Sequence, residues 1–208
     1  MKKQKDKKSL QVLMAGILSA VLFILLAVLV SANFNIVRLD ELIDNNIASL
    51  WNPIIIQVMI FITNIVSMWP LIILSAITIL LLIYKKRFSK IFVFAGSMIA
   101  GLISEIIIKE LVQRARPIGG LTEVTRSSFP SGHATIAAVF FLSLIYCFKN
   151  EIKNKVLRKI FIIGCIILPL LIGFSRIYLK VHWFNDVLAG FFLGIFWLCL
   201  FIFLSKIK

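Results

Sequence analysis

From Leu10 to Val30 the chain runs about 21 residues without a charge. A helix needs roughly 20 mainly apolar residues to cross a hydrocarbon layer of about 30 Å. Inside that layer each backbone N–H and C=O must be satisfied within the segment, which selects helix over open strand or coil. Similar runs recur further along. The apolar fraction of 61% and the mean hydropathy of +1.03 exceed what water-soluble domains carry. The expected fold is therefore all-α, a six-transmembrane-helix bundle forming one membrane domain over residues 1–208. The N-terminus has the basic start and Val30-Ser31-Ala32 ending of a signal peptide. Its apolar stretch exceeds the usual run of roughly 7–15 residues, so it reads as an uncleaved anchor.

Charge placement sets the expected topology. The net charge of +14 would suggest nucleic-acid binding in a soluble protein. Here sixteen of the 23 basic residues fall in clusters beside apolar runs: Lys2–Lys8, Lys85–Lys90, Lys149–Lys159, and Lys206 with Lys208. That is the pattern of cytoplasmic loops near anionic lipid, and it argues against a nucleic-acid partner. Spans are expected at 10–31, 68–84, 90–110, 131–148, 160–176 and 186–205. This count puts every cluster and both termini in the cytoplasm. Residues 39–51 set Leu39, Leu42, Ile43, Ile47, Leu50 and Trp51 opposite Asp40, Glu41, Asp44 and Asn45, as in an interfacial helix on the outer side. Asn52-Pro53 is a helix-start signal, and 54–66 reads as a helix leaning at the outer interface. Trp51, Trp69 and Trp183 fall at outer edges, Tyr84 and Tyr146 at inner ones. Cys147, Cys165 and Cys199 lie within apolar runs, with neither metal spacing nor a disulfide framework.

The other basic residues are Arg38, Lys109, Arg114, Arg116, Arg126, Arg176 and Lys180, all outward in this topology. The chain's two histidines, His133 and His182, share their level with Asp186. Three separate segments thus bring chemistry to one plane. Asp186 follows His182 by four residues, a spacing that stacks both on one helical face and lets a carboxylate fix the imidazole tautomer. Phe129-Pro130-Ser131-Gly132-His133 opens a helix whose free N–H groups suit a phosphate, with glycine allowing close approach. His133, one turn in, is placed to protonate a leaving oxygen. Lys109, Arg116 and Arg176 carry the charge that phosphate oxygens require. Glu105 reads as a structural partner of Lys109, while Arg114, Arg126 and Lys180 have no spacing that singles them out. Two histidines and one carboxylate are too few for a catalytic zinc or two-metal site, so neither metal nor cofactor is expected.

Lys109-Glu-Leu-Val-Gln-Arg-Ala-Arg116-Pro117, Pro130-Ser131-Gly132-His133 and Ser175-Arg176-Ile-Tyr-Leu-Lys-Val-His182-Trp-Phe-Asn-Asp186 resemble the three signature motifs of the type 2 phosphatidic acid phosphatase family. The resemblance spans residues 109 to 186 without a departure in spacing. Soluble vanadium haloperoxidases share these motifs, but six spans argue against that branch. The resemblance implies an integral membrane lipid phosphatase. His182 would be the nucleophile that forms a phosphohistidine, Asp186 its orienting carboxylate and His133 the general acid. Lys109, Arg116, Ser131, Gly132 and Arg176 would hold the phosphate. The implied substrates are undecaprenyl diphosphate, phosphatidylglycerophosphate or phosphatidic acid, at an outward-facing site in a bacterial cell membrane. The alternative is a non-catalytic lipid transporter or scaffold, because polar residues at helix interfaces also line transport paths.

Overall fold

The computed structural model describes residues 2–32, 37–122 and 126–207, without the side chains of residues 2–8, 37 and 207. The side chains of the Lys2–Lys8 cluster and of Lys208 thus lie outside the described residues. Eight α-helices occur among those described: α1 (Lys2–Ser31), α2 (Val37–Ile47), α3 (Pro53–Asn64), α4 (Met68–Tyr84), α5 (Phe88–Val112), α6 (Gly132–Phe148), α7 (Lys155–Tyr178) and α8 (Phe184–Ile207). A 3-10 turn, Ala48–Leu50, extends α2, and no strand is present among these residues. The α3 start follows from its sequence. Asn52 Oδ1 accepts from Ile54 N at 2.9 Å, and Pro53 occupies the first turn, where its missing N–H costs nothing. Asn154 caps α7 in the same way, accepting from Val156 N at 2.8 Å.

Helix α6 forms the centre. Ala134 through Phe141 are all buried, and α5, α7 and α8 pack around them. Phe140 meets Phe94 of α5 edge-on at 5.8 Å and Phe141 at 5.2 Å. Gly190 and Gly194 of α8 make the closest approach. A Cβ at Gly190 would stand 2.6 Å from Ser131 O, and one at Gly194 would stand 2.6 Å from Thr135 O. Small residues four apart let two backbones touch. Outside this core, α1 runs along α8, α3 along α7, and α4 against α5.

Ile17, Leu18, Ile73, Leu80, Ile103, Ile163 and many other large apolar side chains remain exposed on the outer helices. A surface of this kind matches lipid and not water. Among the described residues four helices are long and apolar enough to cross a membrane: Ser9–Ser31 within α1, Phe88–Val112, Lys155–Tyr178 and Phe184–Lys206. The pair α3 and α4, bent by 44°, makes a fifth if counted as one span, and α6 is apolar but shorter, at 17 residues. The chain is a multi-pass membrane protein.

Two loops share the end of the bundle away from Asp186. Glu151, between α6 and α7, lies 3.3 Å from Lys85, 3.6 Å from Arg87 and 3.7 Å from Lys90. The hydrogen bond from Lys85, then the surrounding positive charge, holds the Glu151 carboxyl below its ordinary range. At the opposite end, α2 departs from expectation. Its polar side, assigned to water, sends Asp40 into the interior at 1% exposure, while Leu42 on the apolar stripe is 61% exposed. A carboxylate tolerates such burial only with partners, and Arg114 Nη2 at 2.6 Å and Asn185 N at 2.9 Å supply them.

Candidate active site

The site forms where α5 and α7 end and α6 and α8 begin. Gln113, in the left-handed region at φ 48°, terminates α5 and turns the chain into Arg114-Ala115-Arg116. Lys109, in the last turn of α5, lies 3.2 Å from Glu105 and donates to Ser127 O at 2.9 Å and Pro130 O at 2.7 Å. All three ammonium protons are thereby engaged, and the 127–130 segment is tied to α5. Phe129 is fully buried and stacks on Phe23 of α1 at 6.0 Å, which fixes that segment from the other side.

Pro130 precedes the helix instead of occupying its first turn. The N-cap is Ser131, whose N–H donates to Asp186 O at 2.9 Å, so α6 and α8 begin side by side. Ser131 Oγ is buried without a partner. Gly132 is required by its neighbour, since a Cβ there would stand 2.7 Å from Glu105 Oε1. The expected glycine opening is therefore filled by a side chain from α5.

His182 belongs to a tight turn and not to α8, which corrects the expectation that it stacks on Asp186 along one helix. Val181 N and His182 N both donate to Arg176 O, at 3.0 and 3.2 Å, and Lys180 adopts φ 51° to make the fold-back. His182 Nδ1 lies 2.8 Å from Ser128 O and 3.6 Å from Asp186 Oδ2. A carbonyl only accepts, so Nδ1 carries the proton and Nε2 keeps its lone pair. Arg116 Nη1 approaches that lone pair at 3.3 Å. Asp186 acts on the ring by charge instead of by a direct hydrogen bond. Burial pushes the His182 imidazole down to about 4, partly opposed by Asp186 and reinforced by Arg116 and Lys109. The ring is neutral at neutral pH.

Asp186 is itself held on both oxygens. Arg114 Nη1 lies 2.6 Å from Oδ1, while Trp183 N at 3.0 Å and Ser128 Oγ donate to Oδ2. Arg116 spans three strands of loop, donating from Nε to Arg126 O at 2.7 Å, from Nη1 to Val181 O at 2.6 Å and from Nη2 to Ser127 O at 3.1 Å. Its own burial lowers the guanidinium from its ordinary value. Arg176 is buried, donates to Thr63 Oγ1 of α3 at 3.0 Å, and leaves Nε unpartnered.

One cavity of about 170 Å³ collects Glu105, Lys109, Arg116, Arg126, Gly132, His133, Arg176 and His182. Of the eight expected site residues, six line it; Ser131 and Asp186 stand directly behind Gly132 and His182. Among the described residues no carboxylate lies within ion-pair distance of Arg116 or Arg176, and the one acid in the wall, Glu105, is paired with Lys109. The space is strongly positive and suits a small anion. Asp40, Thr63, Arg114 and Ser128 support it and were not singled out from sequence.

Comparison with known proteins agrees with this geometry. Over 92 residues the chain is 37% identical to phosphatidylglycerophosphatase B of Bacillus subtilis, which is 43% of this chain and 45% of that one. Over 129 residues it is 30% identical to the undecaprenyl-diphosphatase of Sulfolobus acidocaldarius, covering 57% and 56%. The chain thus matches about half the length of these curated relatives. The crystal structure of a transmembrane phosphatidylglycerolphosphate phosphatase from Bacillus subtilis superposes with a TM-score of 0.80 at 28% identity, covering 93% of this chain and 97% of that one. The structure of Aquifex aeolicus LpxE, at 23% identity and a TM-score of 0.62, shares the fold. A family model matches residues 90–206, more than half of the chain and every residue that lines the cavity, and the chain belongs to the PAP2 superfamily.

Proposed function

We propose that this protein is a membrane lipid phosphatase that works through a phosphohistidine on His182, without a metal. The observation that carries the reading is the positive 170 Å³ cavity into which both imidazoles open. His182 Nε2 would attack phosphorus while the bond from phosphorus to the lipid oxygen breaks. His133 would give its proton to that oxygen. Water would then attack the phosphohistidine, returning its proton to His133 and releasing phosphate with His182 neutral again. Asp186 would stabilise the charge on the His182 ring in the intermediate. Arg116, Arg176 Nε, Ser131 Oγ and the N–H groups of Gly132 and His133 would bind the phosphate oxygens, with Lys109 adding charge. Cations in the wall would do the neutralising that a metal ion does elsewhere.

The names of the relatives support phosphatidylglycerophosphate and undecaprenyl diphosphate as substrates, with phosphatidic acid a third choice. We further propose a single domain of six spans, α1 and α4 to α8, with α2 and α3 at the outer surface, both termini cytoplasmic and the site facing outward. Both ends of α3 contact the last turn of α7, through Asn52 N to Tyr178 Oη at 3.2 Å and Thr63 to Arg176. This supports a helix lying across that surface. The joining of Lys85, Arg87 and Lys90 to Glu151 supports placing both loops on one side.

The test is release of inorganic phosphate by purified protein in detergent, with EDTA present, from the three lipids in parallel. Release that His182→Ala abolishes is the expected result. Dependence on added magnesium would overturn the metal-free mechanism, and full activity in His182→Ala would overturn the reading altogether.

A further inference from the structure

Asp186 shares its counter-ion. Arg114 presents Nη1 to Asp186 Oδ1 and Nη2 to Asp40 Oδ2, both at 2.6 Å, and its guanidinium lies 5.3 Å from the centre of the Trp183 ring. Neither carboxylate side chain is exposed to solvent, and the arginine retains only 11%. The other oxygen of Asp40 accepts from Asn185 N, in the first turn of α8 and one residue before Asp186. Asp40 comes from α2, a segment with no part in the motifs.

The charges decide what this is for. A lone guanidinium against Asp186 would cancel its charge and leave His182 among Arg116, Lys109 and Arg176 with no net negative neighbour. Two buried carboxylates around one guanidinium leave a single negative charge beside the ring. A bidentate guanidinium also fixes the plane of each carboxylate in a way that a point cation does not.

We propose that Asp40, acting through Arg114, is a positioning residue for Asp186 that preserves the negative field on His182. It touches neither substrate nor nucleophile. The inference rests on the phosphohistidine reading for its consequence in turnover, but the field itself can be read without turnover. The charged and titratable groups facing His182 are Asp186 of α8, Glu105 and Lys109 of α5, Arg116 and Arg126 of the following loop, Arg176 of α7 and His133 of α6. None is altered in the Asp40 and Arg114 variants below, and His133 is changed only in the sample that assigns the signals.

The experiment uses the full chain in detergent, labelled with ¹⁵N-histidine. Two histidines give two pairs of ring nitrogen signals, and a His133→Gln sample assigns them. Removing the Asp40 charge disfavours the imidazolium, so in Asp40→Asn the His182 titration midpoint should move below that of the native protein. A change of about one pH unit corresponds to a tenfold effect on an equilibrium. In parallel, kcat for phosphate release should fall about tenfold with KM little changed, because the field acts on the charged intermediate and not on binding. Asp40→Glu, which keeps the charge, should recover both, and Arg114→Lys, which loses the fork, should lower kcat. A native midpoint and native kcat in a folded Asp40→Asn would overturn the proposal. So would equal losses in Asp40→Asn and Asp40→Glu, the mark of a merely structural contact. If Asp40→Asn does not fold, Asp40→Glu and Arg114→Lys decide by the same two readouts. A shifted midpoint in a protein whose native form releases no phosphate would sustain the positioning and sink the phosphatase reading alone.

Discussion

In the proposed mechanism His182, although surrounded by cations, carries positive charge when phosphorylated, and its neighbours resolve that conflict. Burial and Arg116 favour the neutral ring, which is the attacking form; Asp186 stabilises the charged one. Protonation removes the attacking lone pair, so on the acid side kcat/KM should fall as pH drops through about 4. An acid limb near the ordinary imidazole range of about 6.5 in the pH–rate profile would contradict this. Ser128 is the second residue to test. Ser128→Ala removes the hydroxyl that donates to Asp186 Oδ2 and leaves Trp183 N there alone. Loss of a donor to a buried charge costs about 1–3 kcal/mol, so kcat should fall about tenfold or more while the Ser128 carbonyl still holds His182. Single-turnover kinetics would show whether the loss lies in the chemical step. The motif residues were legible in the sequence because their spacing is local. Asp40 and Thr63 were not, since they reach partners 74 and 113 positions away with no periodic signal to announce it. Arg114 was misjudged for the same reason: a loop arginine looks generic until both of its carboxylates are seen.

At the scale of helices, the approach of α6 to α8 sets the distance between the motif segments. Gly190 and Gly194 admit no side chain against Ser131 O and Thr135 O. Gly194→Val should therefore push the helices apart and destabilise the bundle by about 1–3 kcal/mol, read as a lower thermal midpoint in detergent. Phosphate release should fall further than stability, because Ser131 N and Asp186 O would separate. The helices themselves were legible: each expected span lies within or close to an observed helix, and the Asn52-Pro53 start is where its capping chemistry places it. The face of α2 was not. Its amphipathic pattern identifies a helix and its stripe, but which side meets protein depends on Arg114 and the backbone N–H of Asn185, and periodicity carries no information about either. The same limit applies to His182 and Asp186, whose i to i+4 spacing is shared by a helix and by the turn that actually precedes α8.

For the whole molecule, the two ends differ in chemistry. One holds the cavity and the segments 113–122 and 126–131; the other holds the lysine-rich loops gathered on Glu151. The proposed orientation predicts that an impermeant thiol reagent applied to intact cells labels a cysteine at Ile118, which is 90% exposed at the site end, but not one at Lys155. Cys147, Cys165 and Cys199 would first be replaced by alanine. The reverse pattern would invert the topology. Charge parity is the sequence's argument for this orientation, and it rests partly on lysines whose side chains lie outside the described residues.

The segment shared with the superfamily begins at residue 90, but three of the groups that steady the cavity precede it: Phe23 against Phe129, Asp40 against Arg114, and Thr63 against Arg176. Grafting residues 90–206 onto the leading helices of a relative would transplant every signature position and still lose these three braces. Such hybrids should recover turnover only when donor and host are matched at 23, 40 and 63, which makes the early helices, where the motifs are silent, the place where members of the family can diverge.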